Sequence, residues 1–191
     1  MKINGCKKLY RRSERKVCVS SLIKVIKLSY NKKVIEIKAL GLTAVTNENG
    51  KTVKIKLVSS IIPTEGELEQ YEMWLEGSCV EKGRSHYLRY EEIQEDLHIQ
   101  TTIKLNNERS FIMRSGGVNM RLPLSIGMRE NGHYESPFGT LPIITDTHQF
   151  VVEVNEGDKV SGRFLTQYDL IIGGNSVGKY TLEIQFTEVQ R

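Results

Sequence analysis

Arg114-Ser115-Gly116-Gly117, with Arg121 seven residues after the first arginine, is the group in this sequence best suited to holding a ligand. A glycine bend turns successive backbone N–H groups into one concavity, and a guanidinium clamps a carboxylate or phosphate through two parallel hydrogen bonds. The chemistry expected there is anion capture. The competing expectation is structural, with the glycines bending a strand and the arginines pairing with the protein's own carboxylates. Other combinations carry less. His86, His98, His133 and His148 include no pair at metal-ligand spacing and Cys79 stands alone, so no metal site is expected. Asp146 and His148 with Ser136 have the residue types of a hydrolytic triad, but no nucleophile-elbow motif supports them. Glu72, Glu76, Glu91 and Glu92 supply carboxylates of the kind glycosidic chemistry uses. Charges on the outer face of a strand are the commoner role for such residues. No Walker-type or dinucleotide-binding glycine pattern occurs, so no cofactor is expected and the protein reads as non-catalytic.

The elements that must position these residues follow from alternation. Phe111 and Met113 sit two apart, as do Val118, Met120 and Leu122, with Gly116-Gly117 between the two rows. The stretch reads as a strand, a bend and a strand. Further rows run along the chain from Thr52: Val53, Ile55 and Leu57 between lysines; Tyr71, Met73 and Leu75; His86, Leu88 and Tyr90. Residues 91–96 read as an acidic, solvated connection, residues 140–146 and 148–154 as two short strands, and Asn155-Glu156-Gly157-Asp158 as a hairpin turn. The last two strands carry Phe164, Tyr168 and Leu170, then Tyr180, Leu182, Ile184 and Phe186, joined by Gly173-Gly174-Asn175.

This amounts to roughly nine to eleven strands with frequent turn signals and no helix between them, the mark of an antiparallel sandwich or barrel. Consecutive hairpins favour an up-and-down barrel, since closure removes exposed edges. A barrel interior is either filled or holds one small molecule. The expected lining residues are Tyr71, Met73, Leu88, Tyr90, Phe164, Tyr168 and Tyr180, which combine ring faces with a few hydroxyls.

Charge divides the chain. The first 39 residues hold 12 Lys+Arg against Glu14 and Glu36, whereas the remainder holds 15 basic and 21 acidic residues. A basic leader on an acidic body suggests an arm for RNA or an acidic protein partner, a solvated tail, or a translated stretch upstream of the authentic start. No methionine falls between Met1 and Met73. No run of about 18 apolar residues is present, so no membrane span is expected, and the odd count of three cysteines suggests reduced thiols in a cytoplasm.

Trp74-Leu75-Glu76-Gly77, His86-Tyr87-Leu88-Arg89-Tyr90-Glu91-Glu92, Ile112-Met113-Arg114-Ser115-Gly116-Gly117-Val118 and Ser136-Pro137-Phe138-Gly139-Thr140-Leu141 resemble the YwiB-like family of small bacterial proteins, over about residues 52–191. The resemblance implies an all-β, calycin-like (lipocalin-type) antiparallel barrel, no established activity and a Gram-positive, Bacillus-type cytoplasm. The first 50 residues have no counterpart in the family pattern. The expected organisation is therefore a basic N-terminal extension over residues 1–50 and a barrel domain over residues 51–191. A small molecule in the barrel is the leading functional expectation, with a polyanion or protein partner for the leader as the alternative.

Overall fold

The computed structural model describes residues 50–94, 97–136 and 139–189, so the basic extension lies outside the described residues apart from Gly50. Ten strands follow one another: β1 (Lys51–Pro63), β2 (Glu69–Lys82), β3 (Ser85–Gln94), β4 (Leu97–Leu105), β5 (Ser110–Gly116), β6 (Asn119–Leu124), β7 (Arg129–Ser136), β8 (Gly139–Glu156), β9 (Val160–Ile172) and β10 (Asn175–Glu188). Each pairs antiparallel with its sequence neighbours and β10 returns to β1, so the sheet closes into an up-and-down barrel with no free edge.

Alternation decides which side chains enter. Along β1, Val53, Ile55, Leu57, Ser59 and Ile61 are buried while Lys54 and Ile62 are exposed. The facing row of β10 buries Tyr180, Leu182, Ile184 and Phe186. Ile55, Leu88, Ile103, Leu124 and Phe164 are wholly enclosed near the rim where β1 begins. Each such side chain contributes roughly 1.5–3 kcal/mol relative to exposure. This near rim carries the hairpins after β2, β4, β6 and β8; the far rim carries those after β1, β3, β5, β7 and β9.

Three local readings change. The two short strands expected at residues 140–146 and 148–154 are one 18-residue strand, β8, whose register against β9 shifts between Thr147 and Gln149. Before the shift Ile143, Thr145 and Thr147 face inward; after it Phe150, Val152 and Val154 pack on the core. The extra residue, His148, reverses the phase of the alternation, so a continuous strand reads as two. The expected acidic connection is mostly strand, since β3 continues to Gln94 and β4 starts at Leu97. Finally, Phe111 and Met113 do share a face, but it is the outer one: Ser110, Ile112 and Arg114 are the buried row of β5.

The bend between β5 and β6 occurs where expected. Gly116 has φ +96°, and a Cβ there would lie 2.4 Å from the His98 carbonyl oxygen, so the position excludes a side chain on both conformational and steric grounds. At the far end of β9, Gly173 and Gly174 have φ of 58° and 80°, the consecutive left-handed residues of a two-residue hairpin.

Candidate ligand cavity

Arg114 enters the barrel because it stands two residues after Ile112 on the inward row of β5. Its neighbours on that face come from the two preceding strands: Thr101 is its register partner on β4, and Glu92 lies beyond on β3. Arg114 Nη2 donates to Glu92 Oε1 at 2.8 Å and to Oε2 at 3.2 Å, and the Thr101 hydroxyl donates to Glu92 Oε1 at 3.1 Å. The two charged side chains are only 7% and 2% exposed. An ion pair so withdrawn from water needs such hydrogen bonds to offset desolvation.

Beside this pair, in the half of the barrel towards the far rim, lies an internal space of about 50 Å³. Tyr90, Tyr134, Tyr168 and Tyr180 line it together with Arg114 and Ser59, and aliphatic side chains such as Val118, Met120 and Leu182 supply the rest of the wall. Tyr168 and Tyr180 are cross-strand partners whose rings stack at 5.4 Å with planes 11° apart. Burial raises the Tyr134 phenol above its ordinary value, keeping it a protonated donor. The wall is thus largely apolar, with four tyrosines, Ser59 and the Glu92-paired Arg114 among it, a composition of the kind small-molecule sites use. The volume is well below the roughly 300–1,000 Å³ of drug-sized pockets. It suits a few waters or a compact guest.

Of the seven expected lining residues, Tyr90, Tyr168 and Tyr180 line this space. Leu88 and Phe164 are instead buried in the filled near half, where Phe164 meets Phe150 edge-on at 5.7 Å. Tyr71 and Met73 are half-buried on β2 and pack against the core, with the Tyr71 hydroxyl donating to Glu69 Oε2 at 2.7 Å.

The expected anion cradle is not assembled. Arg114 faces inward, whereas Arg121 is exposed and lies over the outer face of the Phe111 ring at 5.1 Å. Seven residues separate them, but the bend does not return both to one face. Ser115 and Gly116 are exposed, and the amides of Gly116 and Gly117 already donate to Asn119 Oδ1 and to the His98 carbonyl. Those N–H groups hold the bend closed rather than facing an empty concavity.

The remaining expected combinations also separate. Arg129 holds Asp146 at 2.8 Å, and His148 pairs with Asp169 at 3.1 Å rather than with Asp146. The side chain of Ser136 lies outside the described residues. Glu72 and Glu76 are exposed on β2, and Glu91 accepts from Gln100 and His98, while Glu92 alone of the four turns inward. Cys79 is buried, and its thiol is pushed up to about 11 by burial and then by the Glu156 carboxylate, which makes it a neutral, unreactive group.

Thr101, Tyr134 and Ser59 are not among the residues the sequence singles out, and Glu92 is singled out there only as a carboxylate expected on the outer face. Glu92 had a legible signal, because Leu88, Tyr90 and Glu92 are consecutive members of one period-two row. Its charge argued for solvent, and the row argued for the interior. The row prevailed because Arg114 meets it there.

A solved structure, the crystal structure of the ywiB protein from Bacillus subtilis, matches the fold with a TM-score of 0.65 at 23% identity, covering 75% of this chain and 95% of that one. The uncharacterized beta-barrel protein YwiB of Bacillus subtilis (strain 168) is 26% identical over 129 residues, 68% of this chain and 89% of that protein. The model of the family described as "Domain of unknown function (DUF1934)" matches residues 55–184, which span β1 to β10. The chain belongs to this family of uncharacterised β-barrel proteins.

Proposed function

We propose that the protein is a non-catalytic binder of a small, largely apolar and uncharged molecule carrying one hydrogen-bonding group, held inside a calycin-like barrel. The observation that carries this reading is the Tyr-lined space beside the enclosed Arg114–Glu92 pair. A hydrophobic pair of similar volume would serve stability as well as a buried ion pair does. Keeping two charges there supports a role in polar recognition. Because Glu92 already neutralises Arg114, an anionic guest would meet a carboxylate where it met the guanidinium. A neutral donor or acceptor meets no such repulsion. A compact guest fits the space directly, and a larger one displaces the stacked Tyr168 and Tyr180 rings. No helix of the described residues is long and apolar enough to cross a membrane. The odd count of three cysteines, which suggests reduced thiols, is what supports a cytoplasmic location in this reading.

Native mass spectrometry on protein purified without unfolding tests the reading. A reproducible adduct of at most a few hundred daltons is expected on the wild type and is expected to vanish in Val118→Phe, which fills the space from its wall. The absence of any adduct, or an adduct indifferent to Val118→Phe, contradicts it. The strongly basic leader favours a second reading, docking on RNA or an acidic protein partner. Such binding weakens steeply with salt, whereas occupancy of the cavity does not.

A further inference from the structure

At the opposite end of the barrel from the cavity, three donor groups from three strands converge. We propose that Glu81, His86 and Glu156 form a zinc site that ties the near rim together. Glu81 and His86 are register partners at the β2–β3 hairpin, two residues beyond the buried Cys79 and Leu88 on the same inward rows. Glu156 ends β8, continuing the row of Phe150, Val152 and Val154 that packs on the core after the register shift. In barrel order β9, β10 and β1 stand between β8 and β2, so this carboxylate reaches the hairpin across the mouth and not along a ladder. His86 Nε2 and Glu156 Oε1 are 2.5 Å apart although 70 residues separate them.

The donor atoms of all three side chains lie within 4.8 Å of one another. Zinc bonds of about 2.0–2.2 Å put tetrahedral donors roughly 3.4 Å apart, so Glu81 and Glu156 complete the site by side-chain rotation while the strands stay in place. Both glutamates are exposed at strand ends and free to make that adjustment, whereas His86 is only 18% exposed and fixes the position. Two carboxylates balance a dication. Among the described residues, the ion-pair partner of Glu156 is His86 itself, and the nearby Lys51 is engaged by Glu188.

The imidazole selects the metal class: magnesium and calcium favour oxygen ligands, whereas zinc accepts nitrogen beside carboxylate. Three protein donors leave a fourth position for water. The site lies on the filled side of the barrel, so it stands or falls independently of a guest in the cavity.

The test uses the full chain, freed of metal with a chelator and then titrated with Zn2+ or Co2+. One equivalent of Zn2+ is expected to raise the melting temperature saturably, and Co2+ to develop the visible absorption of a four-coordinate ion. His86→Ala and Glu81→Gln should each weaken binding by at least about tenfold, the loss that removal of even an outer-shell partner brings. Glu81→Gln, at an exposed position, remains informative if His86→Ala does not fold. His148→Ala, on the outer wall beside Asp169, should leave the response intact. No saturable response, a response that survives both site variants, or an equal response to Mg2+ overturns the assignment.

Discussion

Arg114→Met is expected to cost about 3–5 kcal/mol, because it strands the Glu92 carboxylate, 2% exposed, without the guanidinium that balances it. In a domain of this size the loss lowers the melting temperature by roughly 10 °C. Glu92→Leu should cost a similar amount by removing the carboxylate that balances the buried Arg114 guanidinium. The double replacement Arg114→Met with Glu92→Leu removes both charges and should recover most of the loss. Urea denaturation of the four proteins completes a double-mutant cycle, and a coupling energy of several kcal/mol is the expected result. Additive losses would mean that the two side chains do not depend on each other, contrary to the geometry of Nη2 against both carboxylate oxygens at 2.8 and 3.2 Å.

Phe164→Ala should be comparably severe, about 3–5 kcal/mol, since its ring is wholly buried in the near half and packs edge-on against Phe150. The informative comparison is Leu182→Ala. Leu182 borders the internal space, so its truncation enlarges a void instead of opening one in solid packing. A loss of about 2 kcal/mol, near the low end for such substitutions, is expected there. Chemical denaturation measures both. Equal losses would indicate that the two halves of the barrel are packed alike, against the division into a filled end and a hollow one.

The closed antiparallel sheet was legible because its rows keep strict period two over long stretches, as in β1 and from Tyr180 to Phe186. Legibility failed where one residue changed the phase. His148 in β8 reverses which parity faces inward, and residues on either side then look like separate strands. At β5 the more apolar pair, Phe111 and Met113, faces outward, and the inward row carries an arginine. Hydrophobicity alone assigns that strand to the wrong face. The choice is made by Glu92, whose carboxylate arrives from β3 to meet Arg114.

The same limit applies to the candidate sites. Arg114, Tyr90, Tyr168 and Tyr180 stood out individually, but what makes them a site is the packing of β3, β5, β9 and β10 around a shared space. Arg121 looked like a partner of Arg114 by spacing, yet odd separation within the β5–β6 hairpin put it on the outer wall. At the near rim, His86 and Glu156 are 70 residues apart, and the closure of the sheet is what brings them together. Spacing rules for metal ligands look along one segment and pass over such a pair.

In the proposed function, a small molecule occupies the space in the far half of the barrel when the protein is extracted from cells. The most direct measurement compares the melting temperature of protein purified without unfolding with that of the same protein unfolded in guanidinium, separated from small molecules and refolded. Dialysing both against one chelator removes any contribution from metal. A bound guest stabilises the folded state in proportion to the logarithm of its concentration over its Kd, so the natively purified sample should melt roughly 5 °C higher. That difference should disappear after stripping and return when the extracted small molecules are added back. Identical melting temperatures before and after stripping, with no small molecule recovered in the extract, would contradict the account.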